Sequence, residues 1–234
     1  FLGLFTSTAS NVSPIEVPIL RRKVAAVVDR AGFEPASHDQ KDLIAILETF
    51  PRDDLFWIDV DTLYDTAMGV LHLQERRRVR LFVHTETFGR FVSCLVYLPR
   101  DRYTTPVRER IETLLVDAFG ARSHEWNTRL SESALARLHF VLHVDPRDRR
   151  AVDVARLEAH VADAARAWID DFRDVLVAGR GEEAGLDLLR EWGNAFPISY
   201  RDEFAATEAL ADLRRRYAVT RVTVLDHARA LLRP

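Results

Sequence analysis

The chain has 234 residues, of which 47% are hydrophobic, and 29% charged residues of both signs leave a formal net charge of −3. These values indicate a globular protein of one large or two small domains, and they exclude a global electrostatic attraction to nucleic acid or anionic membranes. The lone cysteine, Cys94, excludes an internal disulfide and favours a reducing compartment, so we expect a cytoplasmic protein. No apolar run approaches the roughly 20 residues that span a bilayer, so we expect no membrane partner. Because the chain begins at Phe1 and not at methionine, we expect a segment of a longer protein.

Residues 1–52 have the pattern of helices. A helix start at Ser13 and apolar residues at helical spacing up to Gly32 predict a first helix. A capping box that begins at Ser37 predicts a second helix, which ends at Pro51. We interpret this stretch as an N-terminal helical segment.

From residue 53 the hydrophobic period alternates between that of strands and that of helices. The predicted elements are strand 55–60, helix 61–77, strand 79–86, strand 90–98, helix 105–119, strand 122–130 and strand 135–144. This order is a βαββαβ unit with one extra strand. We therefore predict an α+β, ferredoxin-like sandwich over residues 53–146, flanked by N-terminal and C-terminal helices.

The C-terminal third is predicted to be helical. A charged break at Pro146–Arg150 precedes a helical segment over residues 151–217, in which a long helix runs from Asp153 to Ala178. Its apolar seam, Val154 to Val175, needs a partner, which is either the next helix (182–195) or another domain or subunit. If nothing in the chain covers the seam, we expect a homo-oligomer. A further short helix is predicted at 207–217, and residues 218–234, with a strand-like pattern at 219–225, are interpreted as a linker to a following domain.

Alternation along the strands predicts one basic face of the sheet. The candidate residues for an effector, an anion or an interface are Arg80, His84, Arg100, Arg137 and His139. One interpretation is an anion site for a carboxylate effector or an acidic partner surface, because arginine pairs with carboxylates through two hydrogen bonds. The other, which we favour, is a salt-bridged face covered by the flanking helices.

No motif predicts catalysis, a cofactor site or a metal site in this chain. The glycine-containing string at Val175–Gly185 resembles a dinucleotide-binding turn, but it continues a helical pattern and carries acidic residues where phosphate would bind, so we predict a helix-to-helix turn. His139 and His143 would lie about 13 Å apart on one strand, too far to share an ion. The two lysines, Lys23 and Lys41, are predicted to be solvated charges on helix surfaces.

Four stretches of the chain carry a family resemblance. They read GLFTSTASNVSP (Gly3–Pro14), ILETFPRDDLF (Ile46–Phe56), QERRRVRLFVHTETFGRFVSCLVYLPRDRY (Gln74–Tyr103) and NTRLSESALARLHF (Asn127–Phe140). Over about Gly3 to Phe204 the chain resembles the N-terminal, non-catalytic part of the large class of NAD-dependent glutamate dehydrogenases. The resemblance implies a parent enzyme that oxidatively deaminates L-glutamate to 2-oxoglutarate with NAD, whereas this segment itself would bind no cofactor and would serve regulation and oligomerisation.

The resemblance also implies that residues 53–146 form an ACT-like domain. ACT domains serve as amino-acid sensors in metabolic enzymes, so an allosteric amino-acid site is the alternative function, although the expected ligand loop, Ile58–Thr62, lacks glycine. A remote alternative is an RNA-recognition fold, because FGRFVSCLVY (Phe88–Tyr97) superficially resembles an RNA-binding strand. The departures from that motif and the acidic net charge argue against it, and Phe88, Phe91 and Tyr97 are expected to pack within the protein. The expected partners are other domains and subunits of the parent, with no nucleic acid.

Overall fold

The computed structural model describes residues 12–76, 78–130, 133–148 and 150–215. The chain divides into two compact units, Phe1–Ala165 and Arg166–Pro234. The predicted strand at 219–225 and the predicted linker at 218–234 lie outside the described residues. Among the described residues, no helix combines the length and the hydropathy that crossing a bilayer requires.

The first unit opens with a layer of four helices. They are α1 (Pro18–Ala31), α2 (His38–Thr49), α3 (Arg52–Trp57) and α4 (Val60–Arg76). The predicted start at Ser13 is a short 3₁₀ turn, after which α1 begins at Pro18 and ends at Gly32, whose positive φ of 64° suits glycine. The predicted cap at Ser37 is confirmed, because its hydroxyl accepts a hydrogen bond from the Gln40 N–H at 3.2 Å.

The predicted strand over 55–60 is wrong, because this stretch contains helix α3 and the start of α4. Asp53 and Asp54 occupy the first turn of α3, where carboxylates favour a helix N-terminus. Asp59 then caps α4, since its carboxylate accepts the Thr62 N–H at 2.8 Å. A short apolar run has no period that separates a buried strand from a buried helix.

A four-stranded antiparallel sheet follows the helical layer in the described part of the chain. Its strands are β1 (Arg80–Thr85), β2 (Phe91–Pro99), β3 (Ser123–Leu130) and β4 (Leu135–His143), in the spatial order β1-β2-β4-β3. Helix α5 (Thr105–Phe119) connects β2 to β3, and α6 (Val154–Ala164) follows β4. The predicted hairpin and the two later strands are therefore confirmed to within one or two residues.

The spatial order of the strands is that of a ferredoxin-like sandwich, but the strand that would come last in the sequence comes first in this chain. Counted from β2, the chain runs strand, helix, strand, strand, helix, and β1 occupies the edge beside β2 that a final strand would take. The molecule thus has the predicted α+β, ACT-like fold, with β1 in place of the predicted first strand.

Both faces of the sheet are covered, so the central strands carry buried side chains on each side. On one face α5 and α6 pack against residues such as Cys94, Leu138 and Phe140. On the other face the helices α1 to α4 pack against Leu95, Tyr97 and Leu135. The basic face predicted from alternation is this second face, and the N-terminal helices cover it.

The second unit is helical. It contains α7 (Trp168–Arg180), α8 (Glu182–Trp192), α9 (Ile198–Glu203) and a helical stretch at 206–215, here α10. The prediction of one helix from Asp153 to Ala178 is wrong, because α6 ends at Ala164 and α7 begins at Trp168. The apolar seam is accordingly split, and it finds partners within the chain. Leu157 and Val161 are buried in the core of the first unit, and Phe172 and Leu176 are buried in the core of the second.

Candidate functional site

The register of the strands brings several polar residues to the face that the N-terminal helices cover. His84 lies opposite Ser93, and Tyr97 lies opposite Arg137 on the next strand. His139 lies on the same face of β4, two residues from Arg137. Four of the five candidate residues therefore share one face of the sheet, since Arg80 also belongs to this alternation.

The centre of this face is a buried cluster of Asp54, Ser93 and His139. Asp54 is 1% exposed and Ser93 is 0% exposed. The Ser93 hydroxyl donates a hydrogen bond to Asp54 Oδ2 at 2.6 Å, so its oxygen accepts from His139 Nε2 at 3.0 Å. His139 Nε2 also lies 3.3 Å from Asp54 Oδ2.

This arrangement differs from that of a nucleophilic serine. An activated serine gives its proton to a histidine, whereas the Ser93 proton points to the carboxylate. The cluster therefore joins helix α3 to strands β2 and β4 through satisfied buried hydrogen bonds.

His84 is buried next to this cluster and packs against helix α4. Its Nε2 lies 3.3 Å from the Thr66 hydroxyl, which itself donates to the Thr62 carbonyl at 2.8 Å. Its Nδ1 finds no hydrogen-bond partner among the described residues. Burial lowers the pKa of His84 and His139 lowers it further, while the negative charges of Asp54 and Asp59 act in the opposite direction. The burial of His84 thus favours its neutral form.

Lys23 is not the solvated charge that its position on a helix predicted. Its ammonium donates to the carbonyl oxygens of Leu55 at 2.9 Å, Phe56 at 3.0 Å and Ile58 at 2.5 Å. These carbonyls end helix α3, where a cation is favourable. Burial lowers the pKa of Lys23, and Asp59 opposes this effect. Lys41, by contrast, is exposed as predicted.

A cavity of about 160 Å³ lies at the other end of the same face. It is lined by Ala45, Ile46, Thr49, Val70, Tyr97, Arg129, Ser133, Leu135 and Arg137. Arg137 donates a hydrogen bond to the Thr49 carbonyl, while its Nε is buried without a partner among the described residues. Burial lowers the pKa of the Arg137 guanidinium, the neighbouring Arg129 lowers it further, and Tyr97 opposes both effects.

Two of the five candidate residues lie away from the cavity and the buried cluster. Arg80 turns to the sheet edge and pairs with Glu158 of α6 at 2.9 Å. Arg100 lies in a 3₁₀ turn after β2, where its backbone N–H donates to the Ala134 carbonyl at 2.9 Å. Sequence reasoning missed two residues, Asp54 and Arg129. The alternation of β3 and β4 carries a signal for Arg129, whereas Asp54 has none, because its partner is 39 positions away in the chain.

The string that resembles a dinucleotide-binding turn connects two helices. Helix α7 ends at Arg180, Gly181 has a positive φ of 83°, and α8 begins at Glu182. The predicted helix-to-helix turn is confirmed. In the described part of the chain, no group of three or more His, Cys, Asp or Glu side chains has the geometry of a metal site.

Two of the three aromatic residues in the RNA-binding-like string pack inside the protein. Phe91 meets Trp57 edge-on at 5.5 Å, and Tyr97 meets Phe82 edge-on at 6.0 Å. Phe88 does not pack as expected, since it is 67% exposed in the hairpin turn beneath the Arg90 guanidinium. The sheet face that would stack bases in an RNA-recognition fold is occupied by α1 to α4.

Comparison with known protein families gives three matches in chain order. Residues 17–76 match the model of helical motif 1 of glutamate dehydrogenase, residues 80–169 match its ACT2 domain, and residues 175–215 match its helical motif 2. The first match covers the helical layer, the second covers the sheet with α5 and α6, and the third covers most of the described second unit.

Curated relatives agree with these models. The chain is 48% identical over 214 residues to the NAD-specific glutamate dehydrogenase of Halomonas elongata and 43% identical over 214 residues to that of Pseudomonas aeruginosa. It is 32% identical over 225 residues to that of Mycobacterium tuberculosis. These alignments cover 91–92% of this chain, which spans 13–14% of the length of the relatives.

Proposed function

This chain belongs to the large-class NAD-specific glutamate dehydrogenase family, as its N-terminal, ACT-like region, and we propose that it serves regulation and assembly in such an enzyme. The parent enzyme would convert L-glutamate, NAD and water into 2-oxoglutarate, ammonium and NADH. In this proposal the NAD site and the catalytic residues belong to other parts of the parent, which works in the cytoplasm.

The observation that carries the non-catalytic part of the proposal is the closure of the polar sheet face. Asp54 is 1% exposed and Ser93 is 0% exposed, and the Ser93 hydroxyl already donates a hydrogen bond to the Asp54 carboxylate. A catalytic group has to reach a substrate, and these groups are enclosed by α3 and the sheet. Their arrangement supports a role in holding the helical layer against the ACT-like sheet.

The observation that favours assembly is the free edge of the sheet. Strand β3 pairs with β4 on one side, and in the described sheet no strand pairs with its other side. Trp126 and Leu130 on this strand are each 48% exposed. An edge strand with exposed apolar side chains is a ready surface for another chain. We therefore assign this edge to contact with a second copy of the chain.

An allosteric effector site is the second candidate function, and the cavity between α2 and the sheet favours it. This concave space is partly open to solvent and joins an arginine pair to an apolar wall, a combination of polar and apolar groups that ligand sites also show. In this cavity Arg129 and Arg137 lie beside one another, and none of the described lining residues is acidic.

The division of labour is tested by assaying the 234-residue chain with L-glutamate and NAD and by measuring its mass in solution. We expect no glutamate-dependent formation of NADH, together with a sedimentation coefficient that rises with protein concentration. Formation of NADH by this chain would overturn the non-catalytic assignment. A strictly monomeric profile at high concentration would overturn the assembly role and leave regulation through a ligand.

A further inference from the structure

Two arginines face each other across neighbouring strands at the cavity. Arg129 of β3 and Arg137 of β4 are directly opposite residues in the antiparallel ladder. The Cβ atoms of such pairs are about 4.5–5.5 Å apart, and like charges in this position destabilise a sheet. Among the described residues neither guanidinium forms an ion pair, and none of the residues that line the cavity is acidic. The chain thus places two positive charges together, and among the described residues only the more distant Asp54 carboxylate acts on Arg137, without forming an ion pair.

The donors of Arg137 are only partly used. Its terminal nitrogen donates to the Thr49 carbonyl, but its Nε is buried and has no partner among the described residues. A buried unpaired donor is costly, and a charged one more so. An anion that accepts from Nε while neutralising both arginines would remove both costs.

The rest of the cavity is suited to a hydrocarbon body. Ala45, Ile46, Val70 and Leu135 provide aliphatic wall, and Tyr97 adds a phenol. Arg129 is exposed, which leaves one side of the site open to solvent. The cavity volume of about 160 Å³ admits a small organic molecule of a few carbon atoms.

We propose that this cavity binds a small organic carboxylate, whose anionic head lies between Arg129 and Arg137 and whose short aliphatic body lies against α2 and α4. The pairing of a carboxylate with guanidinium groups is charge-assisted and directional. None of the described residues that line the cavity offers a carboxylate to pair with an ammonium group, so we expect the ligand to lack one. The site therefore selects a simple carboxylic acid or a 2-oxo acid over the amino acid of the same carbon skeleton.

Isothermal titration calorimetry on the 234-residue chain tests this proposal. The probes are glutarate, L-glutamate and inorganic phosphate, titrated at one fixed low salt concentration. Glutarate and L-glutamate share a carbon skeleton and differ by the amino group, whereas phosphate supplies an anion without a hydrocarbon body. We expect saturable binding of glutarate, with weaker binding of L-glutamate and of phosphate.

Three variants locate the site. Arg129→Gln removes one of the two charges from an exposed position and is expected to weaken glutarate binding about tenfold or more, as for a charge-assisted hydrogen bond. Arg137→Gln is expected to do the same, but this residue also supports α2 through Thr49. Arg147→Gln, at an exposed arginine outside the cavity, is the control and is expected to bind glutarate like the unaltered chain.

The outcomes separate cleanly. Failure of all three probes to bind, or equal weakening by Arg129→Gln and Arg147→Gln, would overturn the site. Phosphate binding as tight as glutarate binding would overturn the role of the aliphatic wall, and tighter binding of L-glutamate would overturn the exclusion of an ammonium group. Carboxylate binding would give the regulatory role in the parent enzyme a ligand. A failure to bind carboxylates would not affect the assembly role, which sedimentation tests separately.

Discussion

The Ser93 hydroxyl on the central strand donates a 2.6 Å hydrogen bond to Asp54 of helix α3, and this bond crosses the boundary between the two regions matched to helical motif 1 and to the ACT2 domain. The bond is fully buried, since Asp54 is 1% and Ser93 is 0% exposed. The two regions are therefore held together by polar contacts as well as by their apolar core.

Replacing Ser93 with alanine should lower the free energy of unfolding by about 1–3 kcal/mol, because a buried carboxylate loses its strongest described hydrogen bond. Urea denaturation at pH 7 measures this loss. Ser123→Ala, at an exposed position on β3, is the matched control and should change the free energy by less than about 0.5 kcal/mol. An effect of Ser93→Ala no larger than that of the control would contradict a stabilising role for the cluster.

The stability of the first unit should fall as the pH is lowered through the range where histidine titrates. Burial lowers the pKa of His84 in the folded state, so the unfolded chain binds a proton more readily. The stability contributed by neutral His84 is complete above its unfolded pKa, near pH 6.5, and is lost as the pH falls toward its folded pKa. Asp54, Asp59 and His139 are the charged or titratable groups that act on it.

The variant His84→Gln isolates this contribution, because glutamine keeps a hydrogen-bonding group that does not titrate. Urea midpoints at pH 7.5 and pH 5.5 should differ more for the unaltered chain than for the variant. Equal differences in the two proteins would show that other groups cause the pH dependence.

The hairpin and the strand β4 were predictable from local pattern, whereas the helical structure of residues 55–60, predicted as a first strand, was not. The alternation of the apolar Val79, Leu81 and Val83 with the polar Arg80 and His84 identified β1. The stretch at 55–60 lacks such a contrast, and Asp53 and Asp54 lie in the first turn of the helix that forms there, where carboxylates are favourable. The break between α6 and α7 was hidden for a related reason, since apolar residues keep helical spacing on both sides of it.

The candidate face was predictable in composition but not in its contacts. The positions of Arg137 and His139 on one face follow from alternation within a single strand. The opposition of Arg129 and Arg137 also requires the register between β3 and β4, which alternation within one strand does not determine. The bond between Ser93 and Asp54 depends on how a helix packs on the sheet, and no local rule predicts it.

The two lysines provide a matched pair for testing the cap of α3. Lys23→Met removes an ammonium that binds three carbonyl oxygens and should destabilise the chain by about 1–3 kcal/mol. Lys41→Met, on the exposed face of α2, should change the free energy of unfolding by less than about 0.5 kcal/mol. Urea denaturation of both variants makes the comparison, and equal effects would contradict the capping role.

Two glycines test the packing of the second unit. A Cβ at Gly185 would lie 2.8 Å from the Val177 backbone, so Gly185→Ala forces α7 and α8 apart and should cost about 1–3 kcal/mol. At Gly179 the nearest atom would be 3.4 Å away, at the end of the Arg214 side chain, so Gly179→Ala should stabilise α7 by up to about 1 kcal/mol. Thermal unfolding followed by circular dichroism should show shifts of opposite sign. Shifts of the same sign would contradict the close approach of the two helices.

Self-association through the edge of the sheet should depend on the exposed apolar side chains of β3. The double variant Trp126→Lys with Leu130→Lys replaces two side chains that are each 48% exposed and adds charges that oppose edge pairing. Burying a large apolar side chain contributes about 1.5–3 kcal/mol, so the dissociation constant should rise at least about tenfold. Sedimentation velocity over a range of concentrations measures this change.

Phe88→Lys is the control. It removes a side chain that is 67% exposed in the hairpin turn, and because Phe88 lies outside β3 the change should leave association unchanged. Association that Phe88→Lys weakens and the double variant does not would assign the contact to the hairpin turn.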